Sequence, residues 1–281
     1  MNLLMTLDRN YVPQLNVMLF SALHSDSAAY FDVYLLHDEG LSEADVAETR
    51  ALLGQRGALH LIQVDESGLA DAPTSDRYPK AIYYRIFAAK YLPDTLDRVL
   101  YLDPDTLIIN PLRPLWELNL SGKVFAAAAH TGLTEMANGI NQMRLDTEHE
   151  YFNSGVMLID LNAARNLVTA EDVFRCVSEH ERELILPDQD VFNILYGSKT
   201  MPVEDVIWNY DVRNYSKYLI RSTGRHDLNW VMRNTAVLHF CGRNKPWQAD
   251  YKNLFGMLYL HYQNLTMRKL HEKSKQERAV Q

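Results

Sequence analysis

Within the first 64 residues, apolar runs of strand length alternate with segments of helical periodicity, and this alternation constrains the fold more than any other feature. Residues 2–7 form a short apolar run ending in a polar cluster, which reads as a buried strand. Leu15, Met18, Leu19, Ala22 and Leu23 then recur at helical spacing. Residues 32–37 are a second strand. Ser42 is placed to cap a helix over 42–53, with Asp45 three residues on as a weak form of the capping box. Residues 58–64 make a third strand. Strands separated by helices of this size argue for βαβ units and a mostly parallel sheet.

Residues 80–92 read as one helix with a mixed aromatic and basic face, stopped by Pro93, and 97–102 as a strongly apolar strand. Beyond residue 115 the pattern loosens. Strands are expected at 124–129, 156–159 and 236–240, and helices at 171–179, 188–195 and 251–270. The segment 130–150, with Asn138, Gly139, Asn141 and Gln142, reads as a loop, either a lid or acceptor loop or an inert one. The chain has 281 residues, with no internal repeat and no low-complexity linker. It has room for one large α/β domain over 1–248, followed by a helix and basic tail at 249–281.

Charge narrows the function. A net charge of −8 argues against a nucleic-acid binder, which needs a basic face. From residue 251 the balance reverses. Lys252, Arg268, Lys269, Lys273, Lys275 and Arg278 stand against Glu272 and Glu277. Met257, Leu258, Leu260, Leu265, Met267 and Leu270 interleave with those bases, so this helix either rests on an anionic membrane or closes the core. Two distant cysteines, Cys176 and Cys241, form no disulfide framework. With no signal peptide and no apolar run long enough to span a bilayer, a cytoplasmic protein is expected, with the membrane's inner face as its candidate contact.

The chemistry concentrates in two places. In Leu100-Tyr101-Leu102-Asp103-Pro104-Asp105, residues two apart on an extended chain point the same way. Pro104 disfavours a helical Asp103, so Asp103 and Asp105 can converge on one hard cation such as Mn²⁺ or Mg²⁺. They lie just past the carboxyl end of a strand, where open α/β sheets bind ligands. In the run from His239 to Trp247, His239 is a natural third ligand, Gly242 admits a bulky anion close to the backbone, and Lys245 can set a point charge on phosphate. Taken singly, each of these residues has an ordinary structural explanation, and only their combination is specific.

With these motifs the chain resembles glycosyltransferase family 8. The resemblance runs from about Asn2 to Trp247 and is carried by six motifs. They are Asp8-Arg9-Asn10-Tyr11, Tyr84-Arg85, the Asp-x-Asp pair, Tyr151-Phe152-Asn153-Ser154-Gly155-Val156, Asp188-Gln189-Asp190 and the His239–Trp247 run. It implies a GT-A nucleotide-sugar-binding fold, a UDP-hexose donor, a glycan or glycolipid acceptor, Mn²⁺ and retention of anomeric configuration. By position it implies Asp103, Asp105 and His239 as metal ligands, and Gly242 and Lys245 on the phosphates. Thr6, Asp8, Asn10, Tyr11 and Pro104 would receive the nucleotide. Arg85, Asn153, Ser154, Asp188, Gln189 and Asp190 would surround the donor sugar, with Asn153, Asp188, Gln189 and Asp190 as the catalytic candidates. A Tyr11 ring face suits base stacking, and Asp8 can accept a uracil N–H.

Other classes fit less well. A haloacid-dehalogenase-type phosphatase wants Thr or Val two positions after the second Asp, near the chain's start. Here Leu107 holds that place, a third of the way along. A nucleotidyltransferase would show a Gly-rich basic N-terminal loop, and none occurs. A non-catalytic nucleotide-sugar binder would bind the donor without releasing its sugar.

Overall fold

The computed structural model describes residues 1–6, 9–37, 40–64, 81–129 and 135–280. Ten strands are described: β1 (Asn2–Thr6), β2 (Phe31–His37), β3 (Gly57–Gln63), β4 (Arg98–Leu102), β5 (Thr106–Ile108), β6 (Phe125–Ala129), β7 (Phe152–Asp160), β8 (Thr200–Val203), β9 (Tyr210–Asp211) and β10 (Val237–His239). Seven form the main sheet in the order β3-β2-β1-β4-β7-β6-β8. The other three form a small sheet, β5-β10-β9. In the main sheet only β7 runs against its neighbours β4 and β6; the other described pairings are parallel.

The strands are apolar on both faces because both faces are covered. Successive residues alternate between two buried clusters. Leu4, Val99, Tyr101, Phe125, Met157 and Ile159 face one side, beneath the helices Ala81–Ile86, Ala170–Glu179 and Pro187–Tyr196. Leu3, Met5, Leu100, Leu102, Val156 and Leu158 face the other, beneath Val12–Ser25 and Glu43–Leu53. The helix Glu43–Leu53 begins with the expected capping box between Ser42 and Asp45. A third cluster, with Val17, Leu107, Tyr210, Leu238, Phe240 and Tyr259, seats the small sheet.

Two features of this topology build a crevice. The strand order reverses between β1 and β4, and such reversals open a ligand site at the carboxyl ends of the strands. Because β7 is antiparallel, its beginning lies at that same end: Leu102 pairs with Val156, and Asp103 N–H donates to Gly155 O at 2.8 Å.

Several expectations need correction. The helix expected over 80–92 is two helices, Ala81–Ile86 and Ala88–Tyr91, parted at Phe87, where ψ opens to 10°. The strand expected at 156–159 runs from Phe152, because a register shift in β6 lets Ala129 pair with Phe152. Part of the segment read as a loop at 130–150 is the helix Glu135–Leu145; residues 130–134 lie outside the described residues. The terminal helix is Gly256–Val280, later than 251–270. Asn253 delays it by accepting from Phe255 N–H while its own Nδ2 donates to Val212 O.

Candidate active site

The site begins where β4 ends. Thr106 N–H and Thr106 Oγ1 both donate to Asp103 O, at 3.2 and 2.8 Å, closing a tight turn through Pro104 that leads into β5. β5 pairs with β10 so that Thr106 faces His239, and Phe240 N–H donates to Asp105 O at 3.0 Å. This pairing carries a histidine more than 130 residues away in sequence onto the Asp-x-Asp turn. One ligand atom from each of Asp103, Asp105 and His239 lies within 4.8 Å of the others. His239 Nε2 is 3.2 Å from Asp105 Oδ1 and 3.8 Å from Asp103 Oδ2.

The surroundings leave one face of this cluster for a cation. Asp103 Oδ1 is already taken: Arg85 Nη2 donates to it at 2.5 Å and Tyr101 OH at 2.7 Å. Its Oδ2 turns toward His239. Lys245 Nζ pairs with Asp105 Oδ2 and donates to Phe240 O at 2.9 Å. Gly155 closes the floor, since a Cβ there would lie 2.3 Å from His239 Cε1 and 2.7 Å from Asp103 Oδ2. Oxygen donors and an imidazole, packed against a backbone with no side chain, fit a divalent cation.

Electrostatics agree. Burial raises the Asp103 pKa, and Asp105 adds to the rise while Arg85 opposes it. Burial works the same way on Asp105, but His239 and Lys245 outweigh it and hold that carboxyl low. Burial alone would lower the His239 pKa, yet Cys241 and Asp105 hold it well above its ordinary value. A site that draws a proton onto its histidine is one that favours a positive charge.

The expected sugar-pocket residues adjoin this corner. Arg85 Nη1 donates to Ser154 Oγ at 2.7 Å and pairs with Asp188 Oδ2 at 3.0 Å, and its guanidinium lies 4.6 Å from the Tyr101 ring centre. Asn153 Nδ2 donates to Gln189 Oε1 at 3.0 Å. Arg85, Asn153, Ser154, Asp188 and Gln189 therefore converge. Asp190, expected beside Gln189 in the pocket, does not join them. It is fully buried and accepts from both Arg144 Nη groups at 2.9 Å, from Tyr151 OH at 2.6 Å, and from Ile185 and Leu186 N–H at 2.6 and 2.9 Å. Those donors use up its oxygens.

On the nucleotide side, Thr6 Oγ1 meets Tyr101 OH at 3.2 Å, tying the end of β1 to the Asp103 cluster. Tyr11 is half-buried, its ring edge-on to Trp247 at 6.1 Å, and Asn10 is exposed beside it. Asp8 lies outside the described residues. Gly242 adopts φ +92°, a backbone conformation that favours glycine, and a Cβ there would meet the end of the Arg213 side chain, Nη1 at 2.9 Å. Sequence reading missed Asn209, whose Oδ1 lies 2.8 Å from His239 Nδ1, and Arg144. Neither carries a local signal.

The glycosyl transferase family 8 model matches residues 2–251. The chain belongs to this family. Among its relatives, general stress protein A of Bacillus subtilis (strain 168) is 30% identical over 275 residues, covering 95% of this chain and 94% of that one. Lipopolysaccharide 1,2-glucosyltransferase of Escherichia coli (strain K12) is 28% identical over 260 residues, 88% and 72% of the two chains. Among solved structures, the galactosyltransferase LgtC in complex with donor and acceptor sugar analogues superposes with a TM-score of 0.78 at 25% identity, covering 94% of this chain and 95% of that one. The fold is thus GT-A, as family membership implied, and the site described above sits at the crevice of that fold.

Proposed function

We propose that this enzyme transfers a hexose, glucose or galactose, from a UDP-sugar to a hydroxyl of a glycan or glycolipid, with retention of anomeric configuration. Mn²⁺ is the expected ion and Mg²⁺ the alternative. The observation that carries the reading is the convergence of Asp103, Asp105 and His239 at the crevice, with Lys245 alongside. The glucosyl- and galactosyltransferase relatives support a hexose.

A divalent ion held by those three residues supplies Lewis-acid stabilisation of the departing diphosphate, worth several kcal/mol in the transition state. Lys245 adds a point charge there, and the Gly242 turn brings backbone close to the phosphates. Tyr11, Asn10 and Asp8 receive the uridine, beside Thr6 and Pro104. Arg85, Asn153, Ser154 and Asp188 position the sugar. As the bond from the anomeric carbon to UDP breaks, positive charge grows on the sugar. Gln189 stabilises its β face while the acceptor hydroxyl attacks from the side UDP leaves, its proton passing to the departing diphosphate. Saturation of the Asp190 oxygens favours this route over a covalent one through that carboxylate. Near-full kcat in Gln189→Ala would remove the role given to Gln189.

The C-terminal helix supports a contact with an anionic membrane carrying the acceptor. Leu258, Tyr262 and Leu270 pack on the domain, while Met257, Leu260 and Met267 stay exposed on the same helix that carries Arg268 and Lys269. No described helix is long and apolar enough to cross a membrane. Failure to sediment with anionic liposomes at low salt would dispose of this contact.

The deciding measurement is UDP release from a panel of UDP-hexoses with Mn²⁺ and again with EDTA. Release from one donor, abolished by EDTA, is expected. No release from any donor, with no UDP binding in Mn²⁺ by calorimetry, would overturn the reading.

A further inference from the structure

Asn209 is buried at 1% exposure, between the short helix Asp205–Trp208 and β9, and the mechanism above leaves it without a role. Its side chain joins the metal corner to the sugar corner through amides whose orientations are all determined. The determination starts from two backbone N–H groups of β7, which can only donate. Ser154 N–H donates to the Gln189 side chain at 3.3 Å and Gly155 N–H to the Asn153 side chain at 2.9 Å, so both recipient atoms are oxygens. Asn153 therefore turns its Nδ2 to Gln189 Oε1, at 3.0 Å.

The Asn153 oxygen, fixed by Gly155, also faces Asn209 at 2.7 Å, and only the Asn209 NH₂ can donate to it. Asn209 must then present its oxygen to His239 Nδ1, at 2.8 Å. An oxygen there requires that Nδ1 carry a hydrogen, so it is Nε2, facing Asp105 and Asp103, that gives up its proton when a cation binds. Reversing any one amide would set N–H against N–H or oxygen against oxygen.

We propose that Asn209 is a positioning residue with two outputs: it holds His239 in the Nδ1–H form that a metal ligand needs, and through Asn153 it fixes the Gln189 carboxamide oxygen in the place from which it serves the sugar's β face. The inference rests on the metal-dependent transfer reading. It adds that metal binding and donor-sugar placement share one hydrogen-bonded chain, His239–Asn209–Asn153–Gln189. A Gln189 oxygen already holding two N–H donors is also a poor nucleophile.

Asn209→Asp separates the outputs. A carboxylate still accepts from His239 Nδ1–H, but it cannot donate to the Asn153 oxygen. Mn²⁺ is titrated by calorimetry into the full chain without donor, for the parent, Asn209→Ala and Asn209→Asp, and kcat for UDP release is measured at saturating Mn²⁺. Asn209→Ala is expected to weaken Mn²⁺ binding by about 10–100-fold, as lost outer partners of metal-bound histidines do. Asn209→Asp is expected to bind Mn²⁺ at least as tightly as the parent, yet to lose about 10–100-fold in kcat through a displaced Asn153 and Gln189. A merely structural Asn209 would weaken Mn²⁺ binding in both variants together with their melting temperatures, and that result overturns the proposal. So does unchanged Mn²⁺ binding in Asn209→Ala. Should Asn209→Ala not fold, weakened Mn²⁺ binding in Asn209→Asp overturns the proposal by itself. A parent that binds no Mn²⁺ overturns the metal reading and this one with it, whereas a binding parent matched by both variants overturns this one alone.

Discussion

Two buried acidic centres flank the crevice, and they are built on opposite principles. At Asp190 the protein supplies every partner: an arginine fork, a tyrosine hydroxyl and two backbone N–H groups. Burial pushes that carboxyl's pKa up, but the Arg144 and Tyr151 hydrogen bonds prevail and hold it low. At Asp103 and Asp105 the donors stop short. One oxygen of Asp103 is covered, while the other faces a second carboxylate and a histidine, and its pKa rises. A buried charge must be compensated. The first centre is complete as folded; the second is one that the proposed cation would complete.

Substitutions on the two sides should therefore fail differently. Asp105→Ala is expected to lower donor turnover by about 10³-fold, the loss of several kcal/mol of transition-state stabilisation, and to lower the melting temperature in EDTA as well, because Lys245 and His239 lose their partner. Near-parent turnover would remove Asp105 from the chemistry. Asp190→Ala strands the Arg144 guanidinium and should cost about 3–5 kcal/mol in urea unfolding. If stability held and only kcat fell, Asp190 would belong to the chemistry. The sign of the pH effect follows: a lowered carboxyl pKa contributes stability above the ordinary range near ~3.9 and loses it as pH falls through the folded value. Asp190→Ala should accordingly flatten the acid limb of the stability profile.

Smaller effects sharpen the contrast. Gly155→Ala places a methyl group against His239 and Asp103 Oδ2 and should weaken Mn²⁺ binding by about 10–100-fold in a calorimetric titration. Parent-like affinity would show that the floor can give. Last is the proton on His239. Its pKa is raised, so its contribution to the metal-free fold is present below the unfolded value near ~6.5 and lost as pH rises through the folded one. Mn²⁺ must displace that proton. Titrations in buffers of different ionisation heat should show about one proton released per ion near neutral pH, and affinity rising with pH. No proton release would mean the imidazole is already neutral.

The sequence by itself determined the βαβ alternation, the Asp103–Asp105 turn and the His239–Trp247 run, because each is a local matter of side-chain period, a proline's effect on its neighbour, or a strand leading into a glycine turn. Family resemblance extended that reading to Arg85, Asn153 and Gln189. It could not separate Asp190 from its neighbour Gln189, since an acid in the first turn of a helix looks the same whether it faces a ligand or an arginine. Only the tertiary structure decided that Arg144, 46 residues away, claims Asp190, and that Asn209 stands 30 residues from His239 and 56 from Asn153 yet binds both. The physical reason is that β7 enters the sheet antiparallel and β9 lies beside β10, and such strand registers are settled by packing across the whole core, which no local window contains.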